Sequence, residues 1–276
     1  MAPLAAPGHV LTWRAFGRLP RLALTVAREL WFAVVVLALW WVLSSGSTSF
    51  YFPPLSEIWA RFQELWLFDR VPTDVWPSLR NFGLAIVLSC AVGIPLGVVL
   101  GSLRRVREIV SPVLGFGWAL PKLALLPAFI AVAGIGDGMR VSFILAGAVW
   151  PILLGAQDGV RAVDPGLRDM ARSYRFGRGT LLFRVLLPAA APQIFAGIRT
   201  SLAIGLVLMI VGEMLVASSG LGFFVLQSQQ SYALVDMWAG ALLIGMLGYL
   251  ITLLFTVLER FVLRWHFARR AMHAAG

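Results

Sequence analysis

From Leu30 onward, long apolar runs alternate with short charged stretches. About 20 consecutive apolar residues in a helix cross the roughly 30 Å hydrocarbon layer of a bilayer. The runs Leu30–Leu43 (lengthened by its flanks), Leu79–Gly101, Ile109–Gly134, Arg140–Gln157, Ile194–Leu215 and Met237–Leu258 therefore predict an all-α membrane protein with about six transmembrane helices. Pro95 predicts a kink in the second. Pro112, Pro121 and Pro127 break the third, either as a kinked packing helix or as a broken span whose freed carbonyls line a pathway. Residues 1–28 and 261–276 read as tails around a membrane domain at 29–260. The first apolar run reads as an uncleaved span, not a signal peptide.

Between the spans the pattern changes period. After Pro53-Pro54, Ser56 can cap a helix in which Ile58, Phe62, Leu65 and Trp66 share one face. That face predicts a helix lying on the membrane surface, with packing onto the bundle as the alternative. Gly134–Gly138 reads as a turn. Residues 217–235 carry no charge before Asp236 and hold Gln227, Gln229 and Gln230, which predicts a surface loop or a re-entrant segment.

The most polar stretch between spans runs from Asp164 to Pro188. Asp164 followed by Pro165 signals a helix start. Leu167, Met170, Ala171 and Tyr174 then fall at i, i+3, i+4 and i+7, an apolar stripe with Arg168, Arg172 and Arg175 beside it. Gly177 and Gly179 break this helix, Thr180 can cap a second one, and Leu187-Pro188 leads into the next span. Such an amphipathic helix–turn–helix is a candidate docking surface for a soluble partner. Spacing alone leaves open a plain basic loop that only fixes topology.

Charge placement sets the topology. Of 23 basic residues, four lie in the N-terminal tail, three after the second span, six from Arg161 to Arg184 and four in the C-terminal tail, seventeen on one side. Arg61, Arg70, Arg80 and Arg140 fall on the other. The positive-inside rule then places both termini and the 161–188 loop in the cytoplasm. The net charge of +10 is thus spent on orientation, and no nucleic-acid partner is expected; membrane lipid is.

The residues of intramembrane catalysis are missing. His9, His266 and His273 lie in the tails, there is no His-Glu-x-x-His helix, and no carboxylate pair sits in adjacent spans. No catalytic residue, no metal site and no bound cofactor is expected, and no G-x-x-x-x-G-K-[ST] phosphate loop is present. Cys90 is the single cysteine, so no intrachain disulfide forms. Two ionisable groups at membrane depth are pathway candidates, together with the helix-breaking Pro121 and Pro127. Lys122 would attract an anion or snorkel to an interface, and Glu213 would shape an outer gate or bond to Ser218 or Ser219. A secondary carrier or channel subunit would rely on Glu213 and Asp158.

Asp169-Met170-Ala171 followed by Leu186-Leu187-Pro188 resembles the Glu-Ala-Ala loop of ABC importer permeases. The resemblance extends from about Phe52 to Glu259. LPKLALLPAFI (120–130), GIGDG (134–138), LLPAAAPQI (186–194) and GEMLVASSGLG (212–222) are similar to the nitrate/sulfonate/taurine group. It implies a type I ABC importer-like fold in the bacterial inner membrane. It also implies a second permease subunit forming a homodimer, and two copies of a cytoplasmic ATPase that carry ATP and magnesium. An extracytoplasmic binding protein would deliver a small solute such as a sulfonate, taurine or nitrate; related permeases serve vitamin precursors. By the same resemblance, Asp164, Leu167, Asp169, Met170, Ala171, Tyr174, Arg175, Gly177, Leu187 and Pro188 would form the ATPase-coupling element. Two positions depart from the motif. Asp169 replaces its Glu, and Arg175 stands where its turn glycine falls. A left-handed Arg costs roughly 1 kcal/mol or more, so Gly177 is expected to make the turn.

Overall fold

The computed structural model describes residues 31, 34–66 and 70–264, and among these every regular element is helical. The chain divides into two units, residues 1–59 and 60–276. In the first, α1 (Val34–Ser44) is apolar but only about 16 Å long at 1.5 Å per residue. The predicted start of this span and the N-terminal tail lie outside the described residues. Ser44 is buried, and its Oγ accepts from the Leu55 N–H at 3.1 Å.

The boundary between the units falls within α2 (Leu55–Glu64). Its predicted apolar face exists, but it is not laid on a membrane surface: Ile58, Phe62, Leu65 and Trp66 are all buried. Within the second unit, Trp66 meets the ring of Phe224 edge-on at 4.9 Å. Arg61 donates to both carboxylate oxygens of Asp236, at 2.5 and 3.2 Å. Hydrogen bonds donated to Asp236 and then to Glu64 raise the Arg61 pKa above its ordinary value, so the guanidinium stays charged.

Three long helices form the centre of the second unit. They are α3 (Trp76–Ser102), α6 (Asp137–Arg161) and α9 (Leu187–Val216). Without a hydrophobic force between helices in lipid, close approach of backbones is what holds them. Gly97 of α3 makes this plain, since a Cβ there would lie 2.3 Å from the Leu153 carbonyl of α6. Gly197 of α9 meets α6 as closely, 2.5 Å from the Pro151 carbonyl. Ser201 adds a buried hydrogen bond to the Ala148 carbonyl at 2.5 Å. α3 runs through Pro95 without interruption as a single helix.

The third apolar stretch is broken as its prolines predict. α4 (Arg104–Ala119) ends before Pro121, a short 3₁₀ turn covers Lys122–Leu125, and α5 (Leu126–Ala133) leaves at 88°. Pro112 sits inside α4, and Pro127 occupies the first turn of α5, where its missing N–H costs nothing. Gly134 (φ 69°) ends α5, while Asp137 and Gly138 of the expected turn already belong to α6. The uncharged 217–235 segment holds a helix, α10 (Leu221–Gln230), before the last span, α11 (Leu234–Val262). Among the described residues, four helices are long and apolar enough to span a membrane, five if the bent α4–α5 pair counts as one.

Candidate functional site

Residues 162–186 join α6 to α9 through α7 (Pro165–Ser173) and α8 (Arg178–Leu181). Asp164 starts α7 as its sequence predicts, its Oδ1 accepting the Gly166 N–H at 2.6 Å. α8 continues through a wider turn (Leu182–Leu186) into α9, so Arg178–Val216 forms 39 helical residues. At 1.5 Å per residue this is about 58 Å of helix, nearly twice the thickness of a hydrocarbon layer. Arg178 and Arg184 lie in the first seven residues of this stretch, on the side of α7. Leu187 and Pro188 form the first turn of α9, and Leu187 packs against the buried cluster of Val98, Ala156, Val160 and Ile194.

The apolar stripe of α7 splits between two faces. Leu167, Met170 and Tyr174 are 41, 46 and 71% exposed, whereas Ala171 is 1% exposed and turned into the protein. Helical spacing puts Ala171 beside Arg168 on one edge of the helix. Arg168 Nη2 donates to the Val160 carbonyl in the last turn of α6. Asp169 is exposed on α7.

The turn after α7 corrects the expectation for Gly177. Arg175 itself takes the left-handed conformation (φ 52°), and Gly177 is extended (φ −62°, ψ 156°). The Phe176 N–H reaches back to the Ala171 carbonyl at 3.0 Å, the six-to-one bond of a Schellman cap. The chain thus keeps the motif's turn at the motif's position and tolerates an arginine there. Thr180 does not cap the second helix. Gly177 holds the N-cap position of α8, and Thr180 is the third residue within it.

The pathway candidates fall in two places. The break between α4 and α5 brings Pro121 and Lys122 to an open cavity of about 390 Å³, closed on the other side by Ala203, Ile204, Val207 and Leu208 of α9. Lys122 Nζ donates to the Gly117 and Trp118 carbonyls at 2.8 and 2.5 Å, capping the end of α4. The rings of Trp118 and Trp150 lie 5.6 and 5.8 Å from that nitrogen. Pro127 does not line this cavity.

Glu213, near the far end of α9, is 1% exposed and belongs to a buried polar knot. Its partners are not Ser218 or Ser219. Ser78 Oγ on α3 lies 2.6 Å from Oε1, and the Gly222 N–H donates to Oε2 at 3.0 Å. Ser78 Oγ also accepts the Leu221 N–H at 3.2 Å and lies 2.9 Å from the Asp74 carbonyl. Asp74 Oδ1 accepts the Gly220 N–H at 3.1 Å. The knot ties the start of α10 to both α3 and α9. Nothing in the local sequence announces it, because Ser78 and Glu213 are 135 residues apart. Asp158 is elsewhere, exposed near the end of α6 and paired with Arg161 at 3.3 Å.

Comparison with known proteins matches this architecture to a family. The family described as binding-protein-dependent transport system inner membrane component matches residues 93–265. The taurine transport system permease of Escherichia coli K12 is 27% identical over 243 residues, covering 84% of this chain and 87% of the relative. The nitrate import permease of Synechocystis is 26% identical over 236 residues, covering 83% and 86%. Among solved structures, an inward-facing form of the methionine ABC transporter MetNI superposes with a TM-score of 0.62 at 21% identity. It covers 68% of this chain and 94% of the solved one, and it supports the fold. The family is one of non-catalytic membrane subunits, which work with an ATPase and a substrate-binding protein. The chain belongs to the inner membrane components of binding-protein-dependent transport systems, the permease subunits of ABC importers.

Proposed function

We propose that this permease imports a small anion, a sulfonate such as taurine or an inorganic ion such as nitrate. Two copies pair around a central pathway, with both tails and the 161–188 loop in the cytoplasm. Two ATPase subunits carry the ATP and magnesium; a binding protein delivers solute from outside. The observation that carries the reading is α7, an exposed apolar edge of Leu167, Met170 and Tyr174 standing on a basic loop. An apolar helix edge displayed beyond the membrane fits a groove in a soluble partner. Asp164 starts that helix, and Asp169, Arg175, Gly177, Leu187 and Pro188 set its flank, turn and return to the span. Closure of the ATPase pair on ATP draws the two α7 helices together and rocks the spans. Solute passes the α4–α5 break, where Pro121 and Lys122 line the route and Pro127 starts α5, while Glu213 secures the outer end. The seventeen basic residues on one side support the orientation.

Co-purification from native membranes in mild detergent, followed by mass spectrometry, tests the partnership. A nucleotide-binding ATPase retained by the wild type and lost from Met170→Asp supports it. Retention by both variants, or by neither, contradicts the assignment of α7.

A further inference from the structure

Docking at α7 moves the spans only if α7 is fixed to them; beside its packing on Leu182–Leu186, one side-chain link runs from Arg168 to α6. α6 is 25 residues long and ends at Arg161, where the Ala162 N–H closes on the Asp158 carbonyl at 2.9 Å and the Val163 N–H on the Val160 carbonyl at 3.4 Å. Arg168, one turn into α7, donates to one of these, the Val160 carbonyl. Its charge also opposes the negative end of the α6 dipole. Ala171, the next residue on the same edge of α7, is 1% exposed, and Val163 in the connecting turn is buried too. α6 in turn is locked to α3 at Gly97 and to α9 at Gly197 by backbone contact. A push on the exposed edge of α7 therefore meets a rigid helix through Arg168, while Leu167, Met170 and Tyr174 remain free for the partner.

We infer that Arg168 is the positioning residue that transmits movement of the docking helix into α6. This rests on the reading of α7 as the ATPase-docking element. Arg168 itself does not face the partner, so its loss uncouples the spans without releasing the ATPase. The guanidinium is replaceable in part by an ammonium, which keeps both a donor and a charge for the helix end.

The test uses the permease–ATPase complex from native membranes, as wild type, Arg168→Met and Arg168→Lys. Hydrogen–deuterium exchange over residues 150–163 is followed with and without ATP–vanadate and magnesium. In the wild type, nucleotide changes exchange in the last turns of α6 by about tenfold. In Arg168→Met that nucleotide response disappears although the ATPase stays bound and binds nucleotide, and Arg168→Lys restores most of it. A purely structural cap would alter the basal exchange rate but leave the response to nucleotide in place. A wild-type response in Arg168→Met overturns the inference. So does release of the ATPase from Arg168→Met, which would make Arg168 part of the docking face, or an equal loss in both variants. Absence of any ATPase from the wild-type complex would instead overturn the docking reading beneath it.

Discussion

Removing the Glu213 carboxylate tests the buried knot and separates hydrogen bonding from charge. In Glu213→Ala, the Ser78 hydroxyl keeps an acceptor, because the Asp74 carbonyl lies 2.9 Å away. The Gly222 N–H keeps none, since Oε2 was its acceptor at 3.0 Å in a buried site. An orphaned buried donor costs about 1–3 kcal/mol, and the vacated side-chain volume adds a cavity penalty. The sum is about 2–4 kcal/mol. Glu213→Gln behaves differently. Its Oε1 can take the Gly222 N–H and its Nε2 can donate to Ser78 Oγ, leaving the serine proton for Asp74, so the cost stays below about 1 kcal/mol. Thermal unfolding in detergent, read with a thiol-reactive fluorophore on the lone Cys90, measures both. The alanine variant should melt roughly 5–15 °C lower and the glutamine variant close to wild type. Equal losses in the two, or an alanine variant as stable as wild type, would refute the hydrogen-bond reasoning.

Four further outcomes follow from the packing and from α7 with its turn. Gly97→Leu should cost about 3 kcal/mol or more, because its Cβ alone would stand 2.3 Å from the Leu153 carbonyl. Gly115→Ala on α4, with nothing within 4 Å of the added carbon, should be neutral or stabilising in the same melting assay. Arg175→Gly relieves a left-handed arginine at φ 52° against the greater chain entropy of glycine, a net gain of about 0.5–1 kcal/mol. Slower amide exchange at Tyr174 and Phe176 would register it. Ala171→Asp should destabilise the loop, since that side chain is buried, whereas Met170→Asp changes only the exposed edge.

The spans were legible because hydropathy over some 20 residues is a strong signal that tertiary context does not override. Pro121 marked the α4–α5 break for the same local reason: proline cannot continue the ladder. The α2 helix was legible as amphipathic, but Ile58, Phe62, Leu65 and Trp66 look the same to sequence whether they meet lipid or protein. The turn at Arg175 is hidden because a left-handed position points to the nearest glycine, Gly177. The motif's own register, which put the turn at Arg175, was the better guide. The glycines at 93, 97 and 101 of α3 recur every fourth residue and could have shown the α6-facing side. The Glu213 knot and the Arg168 cap had no such signal, because each joins groups from different helices.

Crosslinking from α7 tests the central claim most directly. A photoreactive phenylalanine analogue placed singly at positions 167, 170, 171 and 174 is activated in native membranes, and captured proteins are identified by mass spectrometry. The account predicts a nucleotide-binding ATPase captured from 167, 170 and 174 but not from the buried position 171, a pattern set by the two faces of the helix. Capture of no ATPase from the three exposed positions, or equal capture from all four, would contradict it.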